Sequence, residues 1–517
     1  MSSRKTHRAV VIGAGIGGLT AAVELAARGI EVEVLERAPS PGGKMRQLVL
    51  DDRPIDSGPT VLTMRWVFEQ LFDSVGETFD SQLSLELAEV LARHSWRGGA
   101  RLDLFAEVAR SADAIGDFAG AKEAARFRAF CDRARATYET LEGPFIKARE
   151  PTPLSLTRKA GIKGLGDLWR ISPFTTLWSA LGGYFKDPRL RQLFGRYATY
   201  CGSSPFEAPA TLMLVAHVEQ EGVWLVEGGM HALARTLEAC AKRKGAAFRY
   251  GSDVREILVE HSASRGVVLA NGERIEADIV LANADVSAIA AGKFGASVAV
   301  ATPPVAPKSR SLSAVTFSML AKTDGFPLTR HNVFFSTNYR REFDEIFGAK
   351  RIPTDPTIYV CAQDRGADWR QSNDNAVSPE RLFFLINAPA VGDMRTFGTE
   401  EIERCRDHIL DLSQRAGLIL EPTATAITTP QDFNGLFPGT GGALYGQASH
   451  GWNASFTRPT ARTKIPGLYL AGGSAHPGPG VPMAAMSGRL AAASILEDLT
   501  SATPSPRVAT SGGMSMA

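Results

Sequence analysis

No two cysteines stand at a C-x-x-C spacing in this chain. The five present (Cys131, Cys201, Cys240, Cys361 and Cys405) are scattered. That excludes a zinc ribbon or a disulfide frame and suits reduced thiols in a cytoplasmic compartment. A surplus of one charge is also lacking: 57 Lys and Arg against 55 Asp and Glu leave +2, too little to make nucleic acid the main partner. No run of 18 residues is free of charge and turn residues, so no membrane-spanning helix is predicted. His217, His231, His331 and His450 lack the spacing of metal ligands, and no metal is expected. A second G-x-G-x-x-G in a suitable setting is missing, which leaves no place for a separate NAD(P)H domain.

What is present begins at Arg8 to Arg37, RAVVIGAGIGGLTAAVELAARGIEVEVLER. Ala9 to Ile12 is the short apolar run of a buried parallel strand. Gly13, Gly15 and Gly18 follow at dinucleotide spacing: a tight turn, a close approach to a pyrophosphate, and close packing of the next helix. Leu19 to Arg28 reads as that helix, Gly29 as its terminating residue and Ile30 to Leu35 as the next strand. Glu36 lies 18 residues past Gly18, where a carboxylate accepts hydrogen bonds from a ribose. Arg4, Lys5 and Arg8 before an apolar run imitate a signal sequence, but Glu24 and the early glycine turn oppose that reading.

At 517 residues the chain is long for one core, so two or three regions are expected. Pro39, Pro41, Gly42 and Gly43 force a loop that carries Lys44 and Arg46, either facing phosphate or simply solvated. Asp56 to Thr60 is another turn, followed by a helix from Val61 to Phe72. Residues 110–200 have helical spacing, with aromatics from Leu168 to Trp178 beside Lys159, Lys163 and Arg170. Such a surface either dips into a bilayer or forms core with snorkelling lysines. A helix over His231 to Lys242 follows the Gly228-Gly229 turn, and Asn271-Gly272 fits a type I′ hairpin. Strand-like runs at Val315 to Leu320, Val333 to Phe335, Thr357 to Cys361 and Leu382 to Asn387 make a second, β-rich region. Gly467 to Ser474 is a strand entering a glycine turn, and Pro482 to Leu496 a helix. The Ser/Thr/Pro/Gly-rich tail at 501–517 reads as disordered.

Together the stretches VIGAGIGGLTAAVELAARG, LERAPSPGGKM, DSGPTVL, WLVEGGMHALARTL, ADIVLANAD and GLYLAGGSAHPGPGVPMAAMSGRLAA resemble the bacterial phytoene desaturase family, within the monoamine-oxidase-like flavoproteins. The likeness runs from about residue 8 to 497. Met64 to Phe72 and His94 to Asp103 look most like the 1-hydroxycarotenoid 3,4-desaturase branch. The resemblance implies an α/β fold: a discontinuous Rossmann-like FAD-binding domain (1–65, 225–295 and 455–500), a β-sheet substrate domain (66–110 and 296–454) and a mostly helical membrane-facing region (111–224).

It also implies non-covalent FAD. Gly13, Ala14, Gly15 and Gly18 would line the pyrophosphate, and Glu36 the adenosine ribose. Arg37, Gly43, Lys44, Arg46 and Thr60 would follow the cofactor, Val254 would meet adenine through its backbone, and Gly473, Val481, Pro482 and Met483 would approach the isoalloxazine. Many amine-oxidase relatives have an acidic residue where Gly473 stands. The implied reaction moves a hydride to flavin and releases a proton beside a polyene, so an apolar tunnel matters more than a strong base. His94 and His476 are the catalytic candidates; His94 reads equally well as part of a surface turn before Gly98-Gly99. The implied partners are an acyclic carotenoid, a membrane lipid surface, and oxygen or a quinone as electron acceptor, for a peripheral membrane protein of the cytoplasm. Alternatives are a phytoene or neurosporene desaturase, an amine oxidase, and a flavin-free carrier of prenyl lipids like the GDP-dissociation inhibitors.

Overall fold

Ala9 and Val11 point to one face of a parallel sheet, Val10 and Ile12 to the other, and all four are buried. This alternation sets the layers of the first half of the molecule. The sheet has five parallel strands in the order Leu468–Leu470, Ile279–Ala282, β1 (Arg8–Ile12), β2 (Glu31–Leu35) and Ala247–Arg249. The face of Ala9 and Val11 is covered by α1 (Ile16–Ala26) and the helices Met230–Arg243 and Val481–Ser501. An antiparallel three-stranded sheet covers the other face. The computed structural model describes residues 7–152, 174–366 and 379–501.

The carboxy-terminal helix crosses α1 at small side chains. A Cβ on Gly488 would lie 2.2 Å from the carbonyl oxygen of Gly17, so glycine sets how close the two backbones come. Trp66–Ser74, expected in the β-rich region, packs Val67, Phe68, Leu71 and Phe72 into this same core. That helix begins at Trp66 and not at Val61, because Leu62 forms a bridge with Trp224.

The second half is built on a mixed seven-stranded sheet: Leu418–Thr428, Ser313–Gly325, Glu380–Ala388, Ile358–Ala362, His331–Phe334, Val90–Ser95 and Arg101–Phe105. Only the pair His331–Phe334 and Val90–Ser95 is parallel. Val315, Phe317, Leu382, Phe384, Ile358 and Val360 face the helix Thr399–Arg415. Their neighbours one residue along face the opposite way. Helices between residues 108 and 220 form a third cluster against the strands near residue 94.

The Asn271-Gly272 hairpin is not type I′. Only Gly272 takes a positive φ, 87°, with bonds from Gly272 N to Leu269 O and from Leu269 N to Glu273 O. That is a type I turn with a glycine bulge, which the longer loop between Leu269 and Arg274 selects. Among the described residues no helix is long and apolar enough to cross a membrane. Residues 153–173, with Lys159, Lys163, Arg170 and most of the aromatic stretch, lie outside the described residues, as does the tail from 502.

Candidate active site

A cavity of about 1010 Å³ runs between the two halves. At one end lie Gly13, Gly15 and Gly17, where β1 turns into the N-terminus of α1. That helix start offers unpaired backbone N–H groups and a partial positive charge to an anion. Glu36, 8% exposed, ends β2 beside the turn. Its two carboxylate oxygens accept from Ala14 N at 2.7 Å and Ala38 N at 2.8 Å. A carboxylate has about four acceptor sites, so sites remain for hydroxyls in the cavity. Asn283, ending its strand, donates to the Gly13 carbonyl at 3.2 Å and braces the turn from behind. The loop at Gly42 closes on it through a bridge to Gly15.

Further along, Gly473, Val481, Pro482 and Met483 line the wall where the carboxy-terminal helix begins. Arg458 fixes this turn, donating to the carbonyls of Gly473 at 3.3 Å, Tyr445 at 3.1 Å and Gln447 at 2.6 Å. Lys44 is not solvated: it donates to Leu444 O at 2.6 Å and sits 5.3 Å from the Phe437 ring. Burial pulls its pKa down, against the nearby Asp285. Arg46 lies 5.6 Å from the Phe433 ring. Phe433 and Phe437 thus clasp the basic loop from the β-rich half, a contact that sequence reading missed because the two segments are distant in the chain. Arg37, Thr60 and Val254 also line the cavity.

Two expected contacts do not face the cavity. A Cβ on Gly18 would stand 2.2 Å from Gly13 O, so Gly18 serves packing alone. Ala14 is fully buried and gives its N–H to Glu36. Both catalytic candidates also fail to line it. His94 is 1% exposed in the strand Val90–Ser95, flanked by strands on both edges, where its Nδ1 donates to Leu102 O at 3.2 Å and its ring stacks on Phe335. It is therefore not part of a surface turn, and it does not line the cavity. His476 donates from Nε2 to Ala148 O at 2.8 Å and abuts Phe145, which does face the cavity.

These histidines make a pH prediction. Burial lowers the pKa of His94 and His331 to about 3 and that of His476 to about 4. Below the ordinary value of 6.5 the unfolded chain takes up protons that the folded one refuses. Their contribution to stability is therefore complete above about pH 6.5 and is lost as pH falls through about 4. Thermal unfolding should occur at lower temperature at pH 5 than at pH 7, with a smaller difference in His94→Gln. Turnover should show no ionisation of His94, His331 or His476 between roughly pH 6 and 8.

Beyond the turn at Gly473 the cavity becomes a chamber. Its floor is the free face of the seven-stranded sheet, with Thr316, Tyr359, Phe383 and Leu385. Its roof is helical and includes Phe145, Ile146, Leu212, Val215 and Val218. Into this apolar space project Arg196, Tyr200 and Glu219. Tyr197 and Tyr200 donate to the two Glu219 oxygens at 2.8 and 2.5 Å, and Arg196 donates to the Tyr200 hydroxyl at 3.1 Å. Burial pushes the Glu219 pKa up. Burial acts to lower that of Arg196, but the phenols and Glu219 around it raise it overall. Sequence reading missed this group; the hint was a charge at Arg196 within an aromatic stretch, FGRYATY. Among the described residues no group of His, Cys, Asp and Glu could hold a metal.

The family described as flavin containing amine oxidoreductase matches residues 16–496. The chain belongs to that family. As a member of that flavoprotein family it is an oxidoreductase, and its cofactor is FAD. The chain is 53% identical to hydroxyneurosporene desaturase of Rubrivivax gelatinosus, over 99% of this chain and 97% of that protein. It is 43% identical to hydroxyneurosporene desaturase of Cereibacter sphaeroides, over 96% and 98%. Putrescine oxidase bound to putrescine superposes with a TM-score of 0.57, covering 95% of this chain and 99% of that one; at 16% identity it shows the fold alone. The family's flavin also fits what the residues offer. Asp285 Oδ2 and Arg46 Nε are buried without a partner on residues that line the cavity, polar groups a dinucleotide could satisfy.

Proposed function

We propose that the protein is an FAD-dependent desaturase of acyclic 1-hydroxycarotenoids, forming the C3–C4 double bond. The observation that carries this reading is the continuity of one cavity, from the glycine turn of the dinucleotide site into an apolar chamber. When bound, FAD accepts the hydride from the carotenoid. Gly13, Gly15, Gly17 and Glu36 would hold its adenosine and pyrophosphate; Gly473 and the helix start at Val481 would hold the flavin end, where the helix N-terminus favours negative charge. The chamber's residues then have two tasks: to lay the polyene along the sheet floor and to exclude water. No histidine lines the cavity among the described residues, and charge spread along the polyene lets the proton pass to a weak acceptor such as Glu219, whose oxygens keep acceptor sites beyond the two tyrosine bonds.

The membrane side of the proposal rests on the rim. Phe174 and Trp452 line the cavity, are 65% and 47% exposed, and stand 5.4 Å apart. Aromatics in that position suit peripheral attachment on the cytoplasmic side, with the helices within 111–152 and 174–224 as the entrance and oxygen or a membrane quinone as the electron acceptor. The test is parallel incubation with liposomal 1-hydroxyneurosporene, neurosporene and phytoene. The hydroxylated carotenoid should be desaturated fastest; activity on phytoene with none on the hydroxylated compound would overturn the reading.

A further inference from the structure

Arg196 is the chamber's unusual residue. Its guanidinium makes one side-chain hydrogen bond, to Tyr200, and lies 5.2 Å from that ring. A guanidinium carries five N–H donors, so Arg196 has donor capacity beyond that bond at the cavity it lines. Close by, Tyr339 is 6% exposed, also lines the cavity, and its hydroxyl has no partner. A Cβ on Gly195, the residue before Arg196, would lie 3.4 Å from the Tyr339 ring, so the two segments are neighbours. A buried donor left without an acceptor, as the Tyr339 hydroxyl is among the described residues, is costly unless something enters to accept from it. A hydrocarbon cannot.

The position also matters. Arg196 lies on the same short helical stretch as Cys201, Arg196–Cys201, and Cys201 lines the cavity. Tyr445 packs against Gly202, the next residue after this stretch, and Arg458 donates to the carbonyls of Tyr445 and of Gly473 at the flavin end. In a 1-hydroxycarotenoid a single methylene separates the oxygen-bearing carbon from the pair that is dehydrogenated. The group that binds that oxygen must therefore share a cavity with the flavin end, and Arg196 and Tyr339 line the same cavity as Gly473 and Val481.

We infer that Arg196 and Tyr339, with Tyr200 and Glu219 holding Arg196 in place, form the subsite for the oxygen at the substrate's end and select oxygenated over plain hydrocarbon carotenoids. The inference rests on the function proposed above. Arg196 and Tyr339 both offer donors, so the subsite takes a tertiary alcohol or its methyl ether, whose oxygens accept equally. Selection works through loss: a hydrocarbon end leaves the donors unpaired. Removing Arg196 need not unfold the chain, because Glu219 keeps both of its tyrosine donors.

The experiment compares the wild type, Arg196→Met and Tyr339→Phe on liposomal 1-hydroxyneurosporene and neurosporene, with bound FAD measured for each. The variants should keep FAD. Arg196→Met should lose roughly tenfold or more of kcat/KM for the hydroxylated carotenoid, the weight of one hydrogen bond to a charged donor. Its kcat/KM for neurosporene should hold or rise, since a hydrocarbon end no longer strands the guanidinium donors. Tyr339→Phe, which removes one oxygen atom, should shift the ratio in the same direction and decides the matter if Arg196→Met fails to retain FAD. Equal losses on both substrates, or an unchanged ratio in a wild-type enzyme that does discriminate, would overturn the subsite alone. A wild type that desaturates neither carotenoid would overturn the function and the subsite with it.

Discussion

Glu36→Ala should weaken FAD binding by roughly 100-fold while leaving the ranking of carotenoid substrates unchanged. The magnitude comes from what the carboxylate does. It accepts from the backbone of Ala14 inside the glycine turn and from Ala38 after β2. Its loss strands two buried donors and removes the acceptor facing the cofactor's ribose. Hydrogen bonds to a charged group are worth about 1.5–3 kcal/mol each, so a net loss of about 3 kcal/mol, or roughly 100-fold, is the expected scale. Glu36→Gln keeps one acceptor and should fall between. Titration of apoprotein with FAD, followed by flavin fluorescence, gives the number; an unchanged affinity for Glu36→Ala would show that the ribose contact is misplaced.

The second large effect is expected at the rim. Phe174→Ser with Trp452→Ser should reduce partitioning onto lipid vesicles by roughly 100-fold. Each ring contributes at least about 1.5 kcal/mol when its apolar surface leaves water, so two account for about 3 kcal/mol. Turnover of detergent-dispersed substrate should hardly change, because neither ring belongs to the dinucleotide cradle. Vesicle co-sedimentation measures this, and equal sedimentation of the double variant and the wild type would remove the rim from the account.

The stretch from Arg8 to Glu36 was legible almost residue by residue, because strand, turn, helix and acid are contiguous and each is set by local chemistry. Even there, the helix starts at Ile16, inside the glycine motif, because Gly17 and Gly18 already belong to its first turn. The misreadings came from non-local pairing. His94 looked like a turn residue because glycines follow it, yet His331–Phe334 arrives from far along the chain to pair with its strand and bury it. Asn271-Gly272 was read from its residue types alone, whereas loop length chose the turn. The clasp of Phe433 and Phe437 over the basic loop, and the gathering of Arg196, Tyr200 and Glu219, depend on which faces meet. Apolar runs mark strands, but they do not say which face of a strand lines a cavity. The alternation of Phe383 and Leu385 toward the chamber with Leu382 and Phe384 toward the core became visible only once the sheet order was known.

The central claim is that hydrogen leaves a 1-hydroxycarotenoid directly to the flavin held in this cavity. Anaerobic mixing of the holoenzyme with liposomal 1-hydroxyneurosporene tests it in a single turnover. The oxidised flavin absorbance should bleach in step with the appearance of one longer polyene chromophore per flavin. Flavin that stays oxidised with the hydroxylated carotenoid but bleaches with phytoene, or with an amine such as putrescine, would contradict it.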